Sequence, residues 1–400
     1  MRQYLTRKAG RFVLIVGGGI LIAVVLWAAT NVFNVALPGT DTSPLSVKLL
    51  VAPAAHDWVK EAADRFNADG RRLNRRPITL SILEQDGLSV YGQVSTTGFS
   101  PEPAAWITEG RFMLDLVNLA GRESTGQEAF SAETTIAQSV LMWGGFADRI
   151  GVLDSRFGGL NWTALREASL AAQGWSALGG RSEWGFFKLV LPDPAKSSEG
   201  LAALLVAAAE YHGKADLAAG DISSAPFQSW AQALIDAVPN FANLGAEPAN
   251  ALAVRGPSAG DAGLLLERDW LLAASSLSSR QPVSLRYASQ TLIFDFTFAV
   301  RVAPPFSNTT QGDSERKQFE QAVEAARQFR DYLLDSAQQR RAEVYGLRPA
   351  SGQAANPEGS LFAQWSSLGF QSSLPGGSGI HINAEAARAA LRWVELAVGH

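Results

Sequence analysis

The sequence predicts an α/β protein carried behind one N-terminal transmembrane helix. Short apolar strands alternate with amphipathic helix patterns from residue 45 onward, the rhythm of a parallel sheet flanked by helices. Residues 12–29 form an uncharged, mostly apolar run of 18 residues. The 400 residues are 47% hydrophobic and 18% charged, which supports packed cores and excludes a disordered chain.

Taken in order, residues 1–11 are a basic stub holding Arg2, Arg7, Lys8 and Arg11. The apolar run after it would reach roughly 27 Å as a helix, close to the hydrocarbon thickness of a bilayer. We assign residues 12–30 as a membrane anchor with Trp27 at an interface. The positive-inside rule leaves the stub in the cytoplasm and exports the rest. A cleaved signal is the alternative, but its apolar core is usually about 7–15 residues, and Ala36 marks a poor cleavage site. The run Val13–Ile20 mimics a dinucleotide-binding turn. Ile22 stands where that fingerprint needs a small residue, and its acid would be Asp41 in a linker, so we reject a cofactor there.

Residues 31–44 form a Pro/Ser/Thr linker. A strand follows at 47–51, then a helix at 58–68 with Trp58, Ala62 and Phe66 on one face. Strands are expected at 78–83 and 104–107, a helix at 111–119, and a strand or extended crossover at 135–142. The middle region has its own pattern. Helices are expected at 162–172, 200–211 and 227–238, and a strand at 185–191. A buried strand at 291–302 precedes a long helix at 315–339, and Asn383 caps a final helix at 384–397.

Charge and composition narrow the function. Beyond residue 40 the chain carries 30 Lys+Arg against 38 Asp+Glu, and such an acidic body does not suit duplex nucleic acid. With no cysteine there is no disulfide, thiol catalysis or Cys-ligated metal. The four histidines are isolated, so we expect neither a metal centre nor a cofactor.

Four stretches, in order, carry a resemblance. They are 47–51 leading into Asp57-Trp58-Val59-Lys60-Glu61; Trp184-Gly185-Phe186-Phe187-Lys188-Leu189 continuing through Asp193-Pro194 to Ser197-Ser198-Glu199-Gly200; Gly256-Pro257-Ser258 before Gly263-Leu264-Leu265-Leu266-Glu267; and Phe329-Arg330-Asp331-Tyr332 before Tyr345-Gly346-Leu347-Arg348-Pro349. In these the chain resembles the bacterial extracellular solute-binding proteins of the two-lobed, type II periplasmic kind found with ABC importers. The resemblance implies two α/β lobes joined by crossover strands and closing on a ligand. Lobe 1 would span 45–145 plus 285–400, and lobe 2 would span 150–275. It further implies a small-molecule ligand and a permease or signalling partner at the membrane.

Candidate ligand residues follow. Ser197 and Ser198 precede a helix, where they serve either as a cap or as donors to a polar ligand group. The loop Ala55-His56-Asp57 is its counterpart on lobe 1. The family often carries Ser or Thr there, and alanines here leave His56 and Asp57 to supply polar contacts, unless Asp57 is only a helix cap. Thr108, in Thr108-Glu109-Gly110, sits at the next strand–helix junction. Trp143 is a candidate cleft wall. Glu267 ends an apolar run and faces either the cleft or a salt bridge, whereas Arg348-Pro349 is expected to pack the lobe.

Two other readings stay open. Gly256-Pro257-Ser258-Ala259-Gly260 matches a nucleophile elbow, with Asp269 or Asp295 and then His381 in hydrolase order. Gly263 interrupts the helix that motif needs, so a turn around Ser258 is preferred. A degenerate lobe pair serving as a protein-interaction module is the other.

Overall fold

The computed structural model describes residues 42–354, 359–374 and 378–398. The basic stub, the anchor at 12–30, the run Val13–Ile20 and most of the 31–44 linker lie outside these residues. Among the described residues no helix is long and apolar enough to cross a membrane.

The principal elements in chain order are β1 (Leu45–Val51), α1 (Pro53–Ala68), β2 (Arg76–Glu84), α2 (Gly87–Ser95), β3 (Ala105–Ile107), α3 (Arg111–Thr125) and β4 (Phe130–Phe146). Then come α4 (Ala147–Phe157), β5 (Leu189–Val190), α5 (Ser198–His212), β6 (Ala262–Leu266), α6 (Glu267–Arg280) and β7 (Val283–Tyr287). Last are β8 (Ile293–Arg301), α7 (Thr310–Leu334), α8 (Ser336–Val344), β9 (Arg348–Pro349) and α9 (Ala384–Val398).

One ten-stranded sheet joins the strands named here with a two-residue edge strand at Arg72–Leu73. Its path runs β2, β1, β3, β8, β4, β6, β5, and β7 and β9 pair with β4 off that path. β1 lies parallel to both β2 and β3, as expected when helices carry each crossover. The 17-residue β4 organises the rest. Its first part pairs antiparallel with β8, and its last residues pair with β6 on one side and β7 on the other. It therefore runs from one group of helices into the next. The chain returns through β7 and β8, so the sheet has two halves sharing a continuous strand.

Gly144 and Gly145 allow this transit. A Cβ on Gly144 would lie 2.6 Å from the Trp270 ring, and one on Gly145 would lie 2.4 Å from the Asp261 carbonyl oxygen. The first half is filled by the apolar face of α1 (Ala55, Trp58, Val59, Ala62, Phe66), where Phe66 meets Phe329 of α7 edge-on at 5.4 Å. In the second half α5 is buried along most of its length. The final helix touches both halves. Asn383 Oδ1 caps it by accepting from Ala386 N at 2.7 Å, and it packs on α3 and α5. The short strand His381–Ile382 just before it pairs with Asp216–Leu217.

Several elements depart from the sequence pattern, each for a local reason. Helix α1 begins at Pro53 because proline suits a first helical position, and Ala52 occupies the N-cap. Asp57 is therefore not a cap. The strand expected over 185–191 shrinks to β5, because Ser182–Trp184 forms a 3-10 turn and Gly185 takes φ +68°. The long helix expected over 315–339 starts earlier, at the Thr309 cap, and breaks at Asp335, whose ψ of 141° is not helical.

Candidate functional site

A cavity of about 320 Å3 lies in the seam between the halves. Pro53, Glu84 and Asp86 reach it from the carboxyl ends of β1 and β2, where open α/β sheets commonly place ligands. The opposite wall is the stretch from Pro192 to Glu199 at the start of α5. Phe241, Ala242 and Ala246 add an apolar side. Among the described residues its walls carry the acids Glu84, Asp86, Asp193 and Glu199 and one cation, Lys196. The Lys196 ammonium lies 3.3 Å from the Asp193 carboxylate. Hollows of about 810 and 630 Å3 lie elsewhere, the first mostly along residues 166–239, the second beside Arg111 and His381. The first is a hollow of one half, and the second is lined by the start of α3, Asp295 and the Asn383 cap; neither includes both the ends of β1 and β2 and the start of α5.

The two walls touch through Asp86. Its carboxylate caps α2, accepting from Leu88 N at 2.8 Å. The same group crosses the seam to α5, accepting from Ser198 N at 3.0 Å and from the Ser198 hydroxyl at 2.8 Å. Ser197 caps α5 in the ordinary way, its hydroxyl oxygen accepting from Glu199 N at 3.2 Å and Gly200 N at 3.4 Å. Gly200 lets the 192–193 loop lie against the helix, since a Cβ there would sit 2.4 Å from the Pro192 carbonyl oxygen.

Behind this bridge lies Glu109, 2% exposed. One of its oxygens accepts from Gly87 N at 2.7 Å, and the other, Oε2, has no hydrogen-bond partner. Burial, followed by the charge of Asp86, pushes its carboxyl well above the usual range. Glu199 is raised well above the usual range by burial and by Asp269, and Asp269 itself is raised by burial. Asp86 is raised by burial, against the pull of its three donors.

The residues singled out from sequence scatter around this site. Ser197 lines the cavity, and Ser198 stands beside it through Asp86. His56 lies one residue layer away, its Nδ1 3.2 Å from Glu84 Oε2 and 3.1 Å from Asp57 Oδ1. Ala55 is buried in the core face of α1, and Asp57 points to solvent. Thr108 is buried and serves its own turn, its hydroxyl oxygen accepting from Gly110 N at 2.9 Å. Trp143 is core, meeting Trp162 at 5.0 Å. Glu267 is not in the cleft. It is fully buried and paired with equally buried Arg348 at 2.6 and 2.8 Å, and the Tyr287 hydroxyl donates to it as well.

Neither Asp86 nor Glu84 was singled out from sequence. Asp86 follows a strand and precedes Gly87-Leu88, a readable cap signal, but nothing local says that its carboxylate also crosses to residue 198. Glu109 stood inside the noted turn, next to the residue chosen. Ser258 lies in the 3-10 turn Gly256–Ser258 after a helix, and its hydroxyl donates to the Arg255 carbonyl at 2.8 Å. A nucleophile elbow needs a strand before it. Among the described residues no group of three or more His, Asp or Glu is placed to hold a metal ion.

No family model matches the chain. No curated protein matches it. Solved structures do. The periplasmic binding protein AfuA from Actinobacillus pleuropneumoniae, with fructose-6-phosphate bound, superposes with TM-score 0.53 at 12% identity, covering 90% of this chain and 98% of that one. An ABC transporter solute-binding protein from Thermotoga lettingae, bound with α-D-tagatose, gives 0.52 at 8% identity over 88% and 94%. The ferric binding protein from Campylobacter jejuni gives 0.51 at 11% identity over 88% and 97%. Together with the shared strand and the seam cavity, these matches establish that the chain has the two-lobed α/β fold of the bacterial periplasmic solute-binding proteins.

Proposed function

We propose that this chain is an extracytoplasmic solute-binding protein, held at the membrane by residues 12–30, that closes its halves on a small solute. Closure would present one surface to a permease or signalling partner. The observation that carries the reading is the seam cavity, walled by strand ends of one half and the start of α5 in the other. A volume of about 320 Å3 suits a small molecule. The solved structures named above are solute-binding proteins, and the Ser258 turn lacks the strand of an elbow.

The test is a thermal-shift panel of sugars, amino acids, amines, metal ions and oxyanions on the full chain in detergent. A binder present at a hundred times its Kd adds about 2.7 kcal/mol, roughly 3–4 °C for a chain of this size. A stabiliser lost on Phe241→Ala, which removes one cavity wall, would support the reading. The Asp86 bridge favours a second one, a lobe pair locked shut that serves as a protein-interaction module. A panel without response, together with a stoichiometric protein partner, would select it.

A further inference from the structure

Every backbone donor at the start of α5 already has a partner. A helix leaves its first four N–H groups without intrahelical carbonyls, and such an end is a ready anion site. Here Ser198 N donates to Asp86 Oδ2, and Glu199 N and Gly200 N donate to the Ser197 hydroxyl oxygen. Leu201 N donates to the Ser197 carbonyl at 3.0 Å. The single hydrogen of the Ser198 hydroxyl goes to Asp86 Oδ1. An arriving phosphate or carboxylate would therefore find no free backbone donor at the start of this helix, only the Ser197 hydroxyl.

The surroundings act in the same direction. The unpartnered oxygen of buried Glu109 lies just behind, where a Cβ built on Gly87 would meet it at 2.8 Å and the Ser198 hydroxyl oxygen at 3.0 Å. Glu84 and Glu199 flank the cavity in front, and Lys196 is engaged by Asp193. An oxyanion entering here must compete with the Asp86 carboxylate for the Ser198 donors, and displacing Asp86 would strand its charge in the seam.

We infer that Asp86 is the residue that sets the solute class: it seats the protein's own carboxylate on the α5 N-terminus, so that the cleft rejects oxyanions and takes a neutral or cationic solute. This rests on the solute-binding reading above and deepens it. Glu84 and the apolar wall at Phe241 and Ala242 are left to face such a solute.

The test is inorganic phosphate on the full chain in detergent, wild type against Asp86→Ser. Serine keeps a cap for α2 but is too short to span the seam, so it vacates the α5 end. The expected result is no response of the wild type to millimolar phosphate. Asp86→Ser should show a saturable rise in Tm of roughly 3–4 °C at a hundredfold excess over its Kd, abolished by adding Ser197→Ala and Ser198→Ala. Phosphate binding by the wild type at the same affinity would overturn the assignment. So would a folded Asp86→Ser variant that ignores phosphate. If that variant does not fold, wild-type crystals soaked in phosphate decide: density on Ser198 N refutes the assignment, and a retained Asp86 carboxylate supports it. The phosphate result is read without knowing the natural solute. A solute panel without response would therefore defeat the solute-binding reading and leave the Asp86 measurement separately interpretable.

Discussion

The buried pair Glu267–Arg348 invites the most quantitative test. Both side chains have no solvent exposure. The guanidinium donates to both Glu267 oxygens, to the Gln371 carbonyl at 2.8 Å and to the Tyr287 hydroxyl at 3.2 Å, and stacks over Phe362 at 4.4 Å. These groups come from α6, β7, β9 and the C-terminal loop, so the pair staples the second half to the returning chain. Glu267→Gln keeps the shape and removes the charge, leaving a buried cation with only neutral acceptors. Breaking one side of such a pair costs about 3–5 kcal/mol. With an unfolding entropy of about 2.1 cal/mol/K per residue over roughly 350 residues, that is a drop in Tm of roughly 4–7 °C. The assay is thermal melting of Glu267→Gln, Arg348→Met and the double variant. The double should lose less than the sum of the singles by about 2 kcal/mol, because the stranded charge is gone. A Glu267→Gln variant that melts within a degree of wild type, or strictly additive losses, would refute the reasoning.

Three further outcomes follow from the seam and the ends of helices. Glu109 is held well above its unfolded value of 4.5, so its contribution to stability is complete below that value and is lost as pH rises through the folded value. Glu109→Gln, which imitates the protonated form, should therefore gain Tm relative to wild type as pH goes from 5 to 9; a constant difference would sink the idea. Gly200→Ala drives a Cβ to 2.4 Å from the Pro192 carbonyl oxygen, which should cost about 1–3 kcal/mol and push the 192–193 loop away from α5, visible in a crystal structure of the variant. Asn383→Ala removes the side-chain cap of α9 and should cost about 0.5–2 kcal/mol in chemical denaturation, with Asn383→Asp restoring most of it.

Local features were legible where their cause is local. Strands β1, β2 and β8 and helices α3, α5 and α9 follow from runs of apolar residues at period two or 3.6, and the Ser197 and Asn383 caps from side chains that bond within three residues. The limits of α1 were misjudged because Pro53 starts a helix without a side-chain cap. The site was only partly legible. Ser197 caps α5 and lines the cavity, and a Ser-Ser pair before a helix is a readable signal for such a cap. Trp143 lies in the core and Thr108 in its own turn, which periodicity does not foretell, because a side chain's direction depends on which face of the sheet is covered. That face is set by Trp162 in one case and by the turn at Gly110 in the other.

What the sequence determined by itself is the kind of chain: an acidic α/β body behind a basic, apolar N-terminal segment, without cysteine, and with the order of elements seen in two-lobed binding proteins. Only the tertiary structure decided which charges meet. Asp86 reaches Ser198 across 112 residues, and Glu267 reaches Arg348 across 81. Periodicity and capping report on neighbours a few residues apart, whereas burial and pairing of charge depend on how β4 carries one half of the sheet against the other. The same Ser-Ser helix start would be an anion site if open and is the seat of a carboxylate here, and that difference lies in the fold.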